Sequence, residues 1–340
     1  MNASAALSDP DRNRLLRCVQ AGVPLVEDPF AALGAELGLA GDSVLAELRR
    51  VRETGVLREI SAVLEGSALG YESALVAGEV PEDRLDRVVE VVNAHPTVTH
   101  NYLRNHRYNL WFTIAVPSQM GVGATLALLA RESGVAAFHA LRRTATFKIG
   151  VNFDPETRSN RTTAAAPVHV EPIEVSESDR GSFRALQTPL PLEARPFAVL
   201  ARTADIEPAA LLAFARRHLG GAIRRYVGTL RHRKLGVREN GMAVFRVEDE
   251  RVAELGARLA QAPEVSHCYA RNAIPGFPYT LYAMLHGPDR GTCEQLASRL
   301  ARQLGSTDYA VLFSVKEFKK VRLRYFLAEL DRWWARRGGR

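Results

Sequence analysis

Two rhythms of hydrophobic and polar positions run along this chain, and each is written twice. Between Asp9 and Gln20, Leu15, Leu16 and Val19 fall at helical spacing behind an Asp cap. A second short helix is predicted from Pro29 to Leu39, opened by proline and closed by Gly38. Asp42 and Ser43 can cap a third, in which Val44, Leu45, Leu48 and Val51 form an apolar stripe that Gly55 ends. The following VLREISAVL alternates in places and reads as the strand of a wing. From Gly70 the period changes. YESALVAGEV is strand-like, PEDRLDRVVEVVNAH is an amphipathic helix begun by Pro81, and two strands flank Asn105 to Tyr108. A helix, MGVGATLALLARESG, and a closing strand, AFHALRRTATFKIGVNF, complete the order βαββαβ.

The whole plan then recurs. Pro29-Phe30-Ala31 with Leu33 returns as Pro196-Phe197-Ala198 with Leu200, 167 positions on, and Phe147-Lys148 returns as Phe318-Lys319 at an offset of 171. Self-similarity over a domain length, with elements in the same order, indicates a tandem duplication. Three helices and a wing make a winged helix-turn-helix, and βαββαβ makes a ferredoxin-like sandwich. The expected class is therefore α+β: a winged helix over residues 1–68, a ferredoxin-like domain over 69–154, a polar linker over 155–178, a second winged helix over 179–239, a second ferredoxin-like domain over 240–328 and a basic tail over 329–340. The tail, with Trp333 and Trp334, is expected to form a terminal helix. The two ferredoxin-like sheets are expected to pack as a pseudo-symmetric pair.

The best-preserved part of the repeat carries chemistry. His100, Tyr102, Arg104 and Asn105 recur as His267, Tyr269, Arg271 and Asn272. Alternation along a strand puts His, Tyr and Arg on one face, and a sheet face with those residues suits binding better than a core. Composition narrows the partner. A net charge of +7 favours an anionic one, nucleic acid or a small polycarboxylate. No long uncharged apolar run suggests a membrane span, and no charged and apolar leader opens the chain, so a cytoplasmic protein is expected. Cys18, Cys268 and Cys293 fit neither a disulfide framework nor a zinc pattern.

At this point the residues resemble known families. The winged helix with PFAALGAELGLAGDSVLAELRRVRETGVL, followed by βαββαβ, is similar to regulators of the Lrp/AsnC type. The central motifs HNYLRNHRYNLWFT and SHCYARNAIPGFPYTLYAMLHG resemble instead the two subunits of siroheme decarboxylases, here joined in one chain as in the fused form that serves haem d1 biosynthesis. That resemblance implies loss of carbon dioxide from the acetates on rings C and D of sirohaem, giving didecarboxysirohaem. It implies no cofactor beyond the iron of the substrate, a possible homodimer or related decarboxylase subunits as partners, and no specific DNA binding.

A macrocycle with eight carboxylates calls for cations that fork or point onto them. Arg104, Arg142, Arg143, Lys148, Arg271, Lys316 and Lys319 are the candidates, with Tyr102, Tyr108 and Tyr269 beside them. Arg142 and Arg143 are adjacent, so at most one faces the site in a regular strand. His100 or His267 is the expected proton donor, and either ring nitrogen could also be an axial ligand to the sirohaem iron. His106 lacks a counterpart and reads as a solvated hairpin position; Trp111 and Phe112 read as core or interface. The second copy inserts Ile274 to Pro278, a stiff loop with two prolines, which predicts unequal pockets. Two other functions fit the same chain. One is a DNA-binding regulator, whose third helix carries Arg49, Arg50 and Arg52 between Glu47 and Glu53; the other is a tetrapyrrole carrier without chemistry.

Overall fold

A computed structural model of the chain describes residues 7–149, 170–231 and 239–337. Most of the linker expected over 155–178 lies outside the described residues. In chain order the first half holds α1 (Asp9–Ala21), α2 (Pro29–Leu37), α3 (Gly41–Glu53) and β1 (Leu57–Leu64), then β2 (Tyr71–Gly78), α4 (Leu85–Asn93), β3 (His100–Arg104), β4 (Leu110–Pro117), α5 (Val122–Ser133) and β5 (Phe138–Lys148). The second half repeats them as α6 (Glu177–Leu186), α7 (Pro196–Thr203), α8 (Pro208–His218) and β6 (Ile223–Leu230), then β7 (Glu239–Phe245), α9 (Val252–Ala260), β8 (Val265–Arg271), β9 (Leu281–Gly287), α10 (Arg290–Leu304) and β10 (Tyr309–Lys320). The tail adds α11 (Ala328–Ala335), whose Trp333 enters the core of the first ferredoxin-like half.

Helix starts depart from expectation at two places, by one residue in α1 and by two in α3. Ser8, not an Asp, caps α1, accepting from the Asp11 amide. Asp42 lies inside the first turn of α3, because the chain enters the helix at Gly41 behind Ala40, which has no capping group. The tight turn from α2 forces this: a Cβ on Gly41 would sit 2.9 Å from the Cα of Ala31.

Like domains gather with like. One compact unit holds both winged helices and the other holds both ferredoxin-like halves. In the winged unit β1 pairs antiparallel with β6, and two arginines repeat one contact. Arg49 donates Nε and Nη2 to the Leu192 carbonyl at 2.9 and 2.7 Å, and Arg216 donates to the Leu25 carbonyl at 2.9 Å. Buried Glu47 takes Arg12 at 2.7 Å and Arg50 as well.

In the other unit the described strands close into a barrel in the order β10-β3-β4-β2-β5-β8-β9-β7. Each half supplies a four-stranded antiparallel sheet. Its outer strand, β3 or β8, pairs with the last strand of the other half, β10 or β5. The expected pairing of sheets is thus a continuous ladder. Three apolar layers result: α4 and α5 cover one sheet, α9 and α10 the other, and a third cluster of Ala77, Trp111, Leu141, Val244, Phe277, Tyr282 and Leu312 fills the barrel interior.

Candidate active site on the inner wall of the barrel

Strand register decides which face the motif presents. Residues opposite one another in an antiparallel ladder point to the same side. Tyr102 pairs with Trp111 and Tyr269 with Tyr282, both interior, whereas Asn101 pairs with Phe112 and Cys268 with Ala283, both under the helices. His100, Tyr102 and Arg104 therefore line the inner wall on β3, and His267, Tyr269 and Arg271 line it on β8. In the closed order these strands stand four apart, on opposite walls, and run in the same direction. The histidines then lie toward one end. Toward the other, Tyr108 and Phe277 of the two hairpins close the interior with Trp111 and Tyr282.

The histidine and tyrosine geometry is nearly the same in both copies. His100 and Tyr102 ring centroids are 6.2 Å apart and those of His267 and Tyr269 are 6.1 Å apart; all four side chains are half-buried. Nδ1 of His100 lies 3.0 Å from the Thr99 hydroxyl, and Nδ1 of His267 lies 2.9 Å from the Ser266 hydroxyl. Such contacts orient the ring before any ligand arrives.

Arg104 and Arg271 are buried deeper. Arg104 donates Nη1 to the Leu312 carbonyl and Arg271 to the Leu141 carbonyl, each at 2.8 Å. Each guanidinium also stacks on its neighbouring tyrosine, 5.6 Å from Tyr102 and 5.3 Å from Tyr269. Burial pushes Arg104 down to about 10 and lowers Arg271 too. The recurring asparagines finish the same joint: Asn105 accepts from the Phe313 amide at 2.8 Å and Asn272 from the Arg142 amide at 2.6 Å. Arg and Asn of each copy thus grip two consecutive residues of the opposite half.

The other candidate cations divide by side of the sheet. Lys148 and Lys319 do not join the histidines. Lys148 donates to the Ala262 carbonyl at 3.0 Å, and Lys319 to the Asn93 and His95 carbonyls at 2.7 and 3.3 Å, where the C-terminal ends of α9 and α4 favour a cation. Lys316, opposite Leu103, rests over Phe318 at 5.1 Å, on the helix side. Arg142 is exposed and paired to Glu72 at 3.2 Å. Arg143 stands opposite Arg271, on the inner wall, and its charge helps to lower Arg271. Tyr108 is buried with its hydroxyl on the Pro275 carbonyl at 2.6 Å, so it joins the hairpins. His106 is half-buried against Phe277, 5.1 Å between centroids, instead of solvated; the inserted loop of the second copy covers it. Trp111 is interior and Phe112 lies under the helices, as expected of core residues.

Register also brings in residues that sequence inspection passed over. Glu317 is opposite Tyr102 and Lys320 opposite His100, 3.9 Å from each other as an ion pair, while Thr146 is opposite Tyr269. Their membership depends on β10 and β5 crossing to the other half, which no local pattern signals. Among the described residues no cluster of three His, Cys, Asp or Glu could hold a metal ion, and no helix is long and apolar enough to cross a membrane.

The sequence and the fold match known proteins at two levels. The AsnC-like ligand binding domain matches residues 68–148 and 234–319, one match in each ferredoxin-like half, and the siroheme decarboxylase NirDL-like HTH domain matches residues 12–58. The class is thus a duplicated AsnC-like ligand-binding protein with winged helices. A siroheme decarboxylase of Hydrogenobacter thermophilus is 35% identical, over 95% of this chain and 97% of that protein. The crystal structure of the siroheme decarboxylase NirDL in co-complex with an iron-uroporphyrin III analogue aligns with a TM-score of 0.77 and 31% identity, over 96% of this chain and 98% of that one. A siroheme decarboxylase alpha subunit from Nitratidesulfovibrio vulgaris is 42% identical but aligns with only 44% of this chain, covering 85% of its own length. This chain belongs to the siroheme decarboxylase family.

Proposed function

We propose that this chain decarboxylates sirohaem, taking carbon dioxide from the acetates of rings C and D to give 12,18-didecarboxysirohaem. The observation that carries the proposal is the pair of half-buried histidine–tyrosine sets on the inner wall of a barrel that both halves of one chain build. Because both halves are present, one copy of the chain supplies every wall of the site. Each acetate, as carboxylate, takes up one proton overall and leaves a methyl group and carbon dioxide. A histidine gives a proton to the pyrrole carbon, the carbon–carboxylate bond breaks toward the ring, and the resulting methylene gains a proton as the ring carbon loses one. The macrocycle accepts the electron pair, so the reaction asks for no resident cofactor. The same histidine nitrogen could instead hold the iron, which makes acid and ligand alternatives for any one ring.

The two walls are unequal receivers for a polycarboxylate. On the His267 wall the neighbours are Arg143 and Thr146; on the His100 wall they are Glu317 and Lys320. Glu317 is paired with Lys320, so these two add no net charge to the His100 wall, whereas Arg143 adds one positive charge to the His267 wall. This favours His267 as the proton donor. Anaerobic incubation with sirohaem followed by mass spectrometry of the recovered tetrapyrrole tests the function: loss of two carbon dioxide units is expected. Recovery of bound but unchanged sirohaem would make the protein a carrier.

A further inference from the structure

The second motif is connected to a residue for which the first has no equivalent. Fully buried Ser266 places its hydroxyl 2.9 Å from Nδ1 of His267 and 2.5 Å from Nε2 of His286, and Nδ1 of His286 lies 2.6 Å from Oδ1 of Asn240. Asn240 and His286 face one another in the β7–β9 ladder. The direction of the chain follows from its end. With the Asn240 amide oxygen toward His286, Nδ1 of His286 donates to it, and in a ring carrying a single N–H Nε2 accepts. Ser266 therefore donates to His286. Its oxygen then accepts from Nδ1–H of His267. The other acceptor near Ser266, the Met284 carbonyl, is 3.4 Å away and too long to compete.

His267 is thereby held in the Nδ1–H tautomer, and Nε2 is the nitrogen at which it takes up and gives a proton. The Nδ1–H contact is the same in the neutral and the protonated ring, so proton transfer at Nε2 requires no rearrangement behind it. In the first half Ser73 and Ala115 face one another where Asn240 and His286 stand in the second. There Nδ1 of His100 meets the hydroxyls of Thr99 and Thr113, which are 2.8 Å apart, and either of them can be the donor. Nothing in that pair fixes the His100 tautomer.

We propose that His286, acting through Ser266, is a positioning residue for His267, and that it makes His267 the working general acid. The proposal rests on the decarboxylase function above. The test uses the full chain with sirohaem under anaerobic conditions, following mono- and didecarboxylated product by mass spectrometry. His286→Ala and Ser266→Ala are each expected to lower kcat roughly 10- to 100-fold, the usual effect of removing a residue that orients a histidine, with KM and sirohaem affinity within about twofold. His286→Gln, whose amide can donate to Asn240 and accept from Ser266, is expected to restore most of kcat. Parent kcat in His286→Ala, a loss confined to KM, or equal losses in the Ala and Gln variants would overturn the proposal. If the parent chain itself returns sirohaem unchanged, the decarboxylase function is what fails.

Discussion

Arg104 and Arg271 do the same thing in the two halves of this molecule, each donating at 2.8 Å to the corresponding carbonyl of the other half; His100 and His267 do not. The His267 hydroxyl partner leads on to a second histidine, and the His100 partner leads to a threonine. Duplication has kept the joinery and let the surroundings of the histidine diverge. The reason is geometric: a closed barrel needs both β3–β10 and β5–β8 seams sealed, whereas a reaction needs only one well-oriented acid.

That contrast is broken most directly by removing each histidine in turn. General acid catalysis contributes about 10² to 10⁴ in rate, so His267→Ala should lower the decarboxylation kcat by roughly that factor. His100→Ala should cost less and act chiefly on sirohaem affinity. Equal losses in the two variants, measured as product formed under sirohaem excess, would make the walls equivalent.

The arginines should respond in stability, in both halves alike. Arg104→Met or Arg271→Met removes a buried charged hydrogen bond and leaves a carbonyl of the opposite half without its donor, at a cost of about 2 to 4 kcal/mol. Denaturant midpoints should fall by similar amounts for the two variants. A normal midpoint combined with weakened sirohaem binding would instead assign these arginines to substrate carboxylates, the role their residue type first suggests.

Outside the site the halves differ again at His95, which is fully buried, has Ala262 as its counterpart and meets Trp333 of the tail at 4.3 Å between centroids. Burial first, then the charges of Lys319 and Arg337, push it down to about 3 from 6.5. The unfolded chain therefore binds the extra proton between those values, so this contribution is intact above pH 6.5 and is lost as pH falls toward about 3. The loss is about 1.4 kcal/mol for each pH unit below 6.5. His95→Asn, which can still accept from the Thr97 amide, should flatten the fall in melting temperature between neutral pH and pH 5. An unchanged slope would mean that the ring is protonated in the folded state.

How far the sequence foretold this depends on whether a feature is local. The duplication, the order of elements and the shared face of His, Tyr and Arg follow from period and spacing, and the structure places all six side chains on the inner face of the barrel, three on each of two opposite walls. Lys148, Lys316 and Lys319 looked equivalent to Arg143 in sequence. Lys148, five positions after Arg143, and Lys319, five after Ser314, reach the helix side by alternation alone, since the two bulges in each strand cancel; only Lys316 is turned there by a bulge, the one that follows Ser314. Ser266 was hidden for a similar reason. It falls at the break in register between Val265 and His267, where alternation stops predicting direction. His286 did leave a signal, two positions beyond Met284 on the inward-facing alternation of β9, but its meaning requires Asn240 on the neighbouring strand.

The smallest expected effect is on DNA. A winged helix reads a major groove with side chains of its third helix, which here is α3. Arg49 of α3 gives Nε and Nη2 to Leu192, and Arg50 is paired with buried Glu47. The counterpart of Arg49 on α8, Arg216, is turned onto Leu25 in the same way. Arg49 and Arg216 are thus engaged in joining the two winged helices and Arg50 in an ion pair within α3, which leaves exposed Arg52 as the remaining arginine of that helix. Freeing Arg49 or Arg216 would leave a carbonyl without that donor. Fluorescence anisotropy at physiological salt should show no sequence-selective complex. Any residual binding should reflect the +7 net charge, fall steeply with added salt and be indifferent to sequence. Nanomolar affinity for one operator at that salt would mean that the arginines release their carbonyls on binding, and would return the winged helices to a regulatory role.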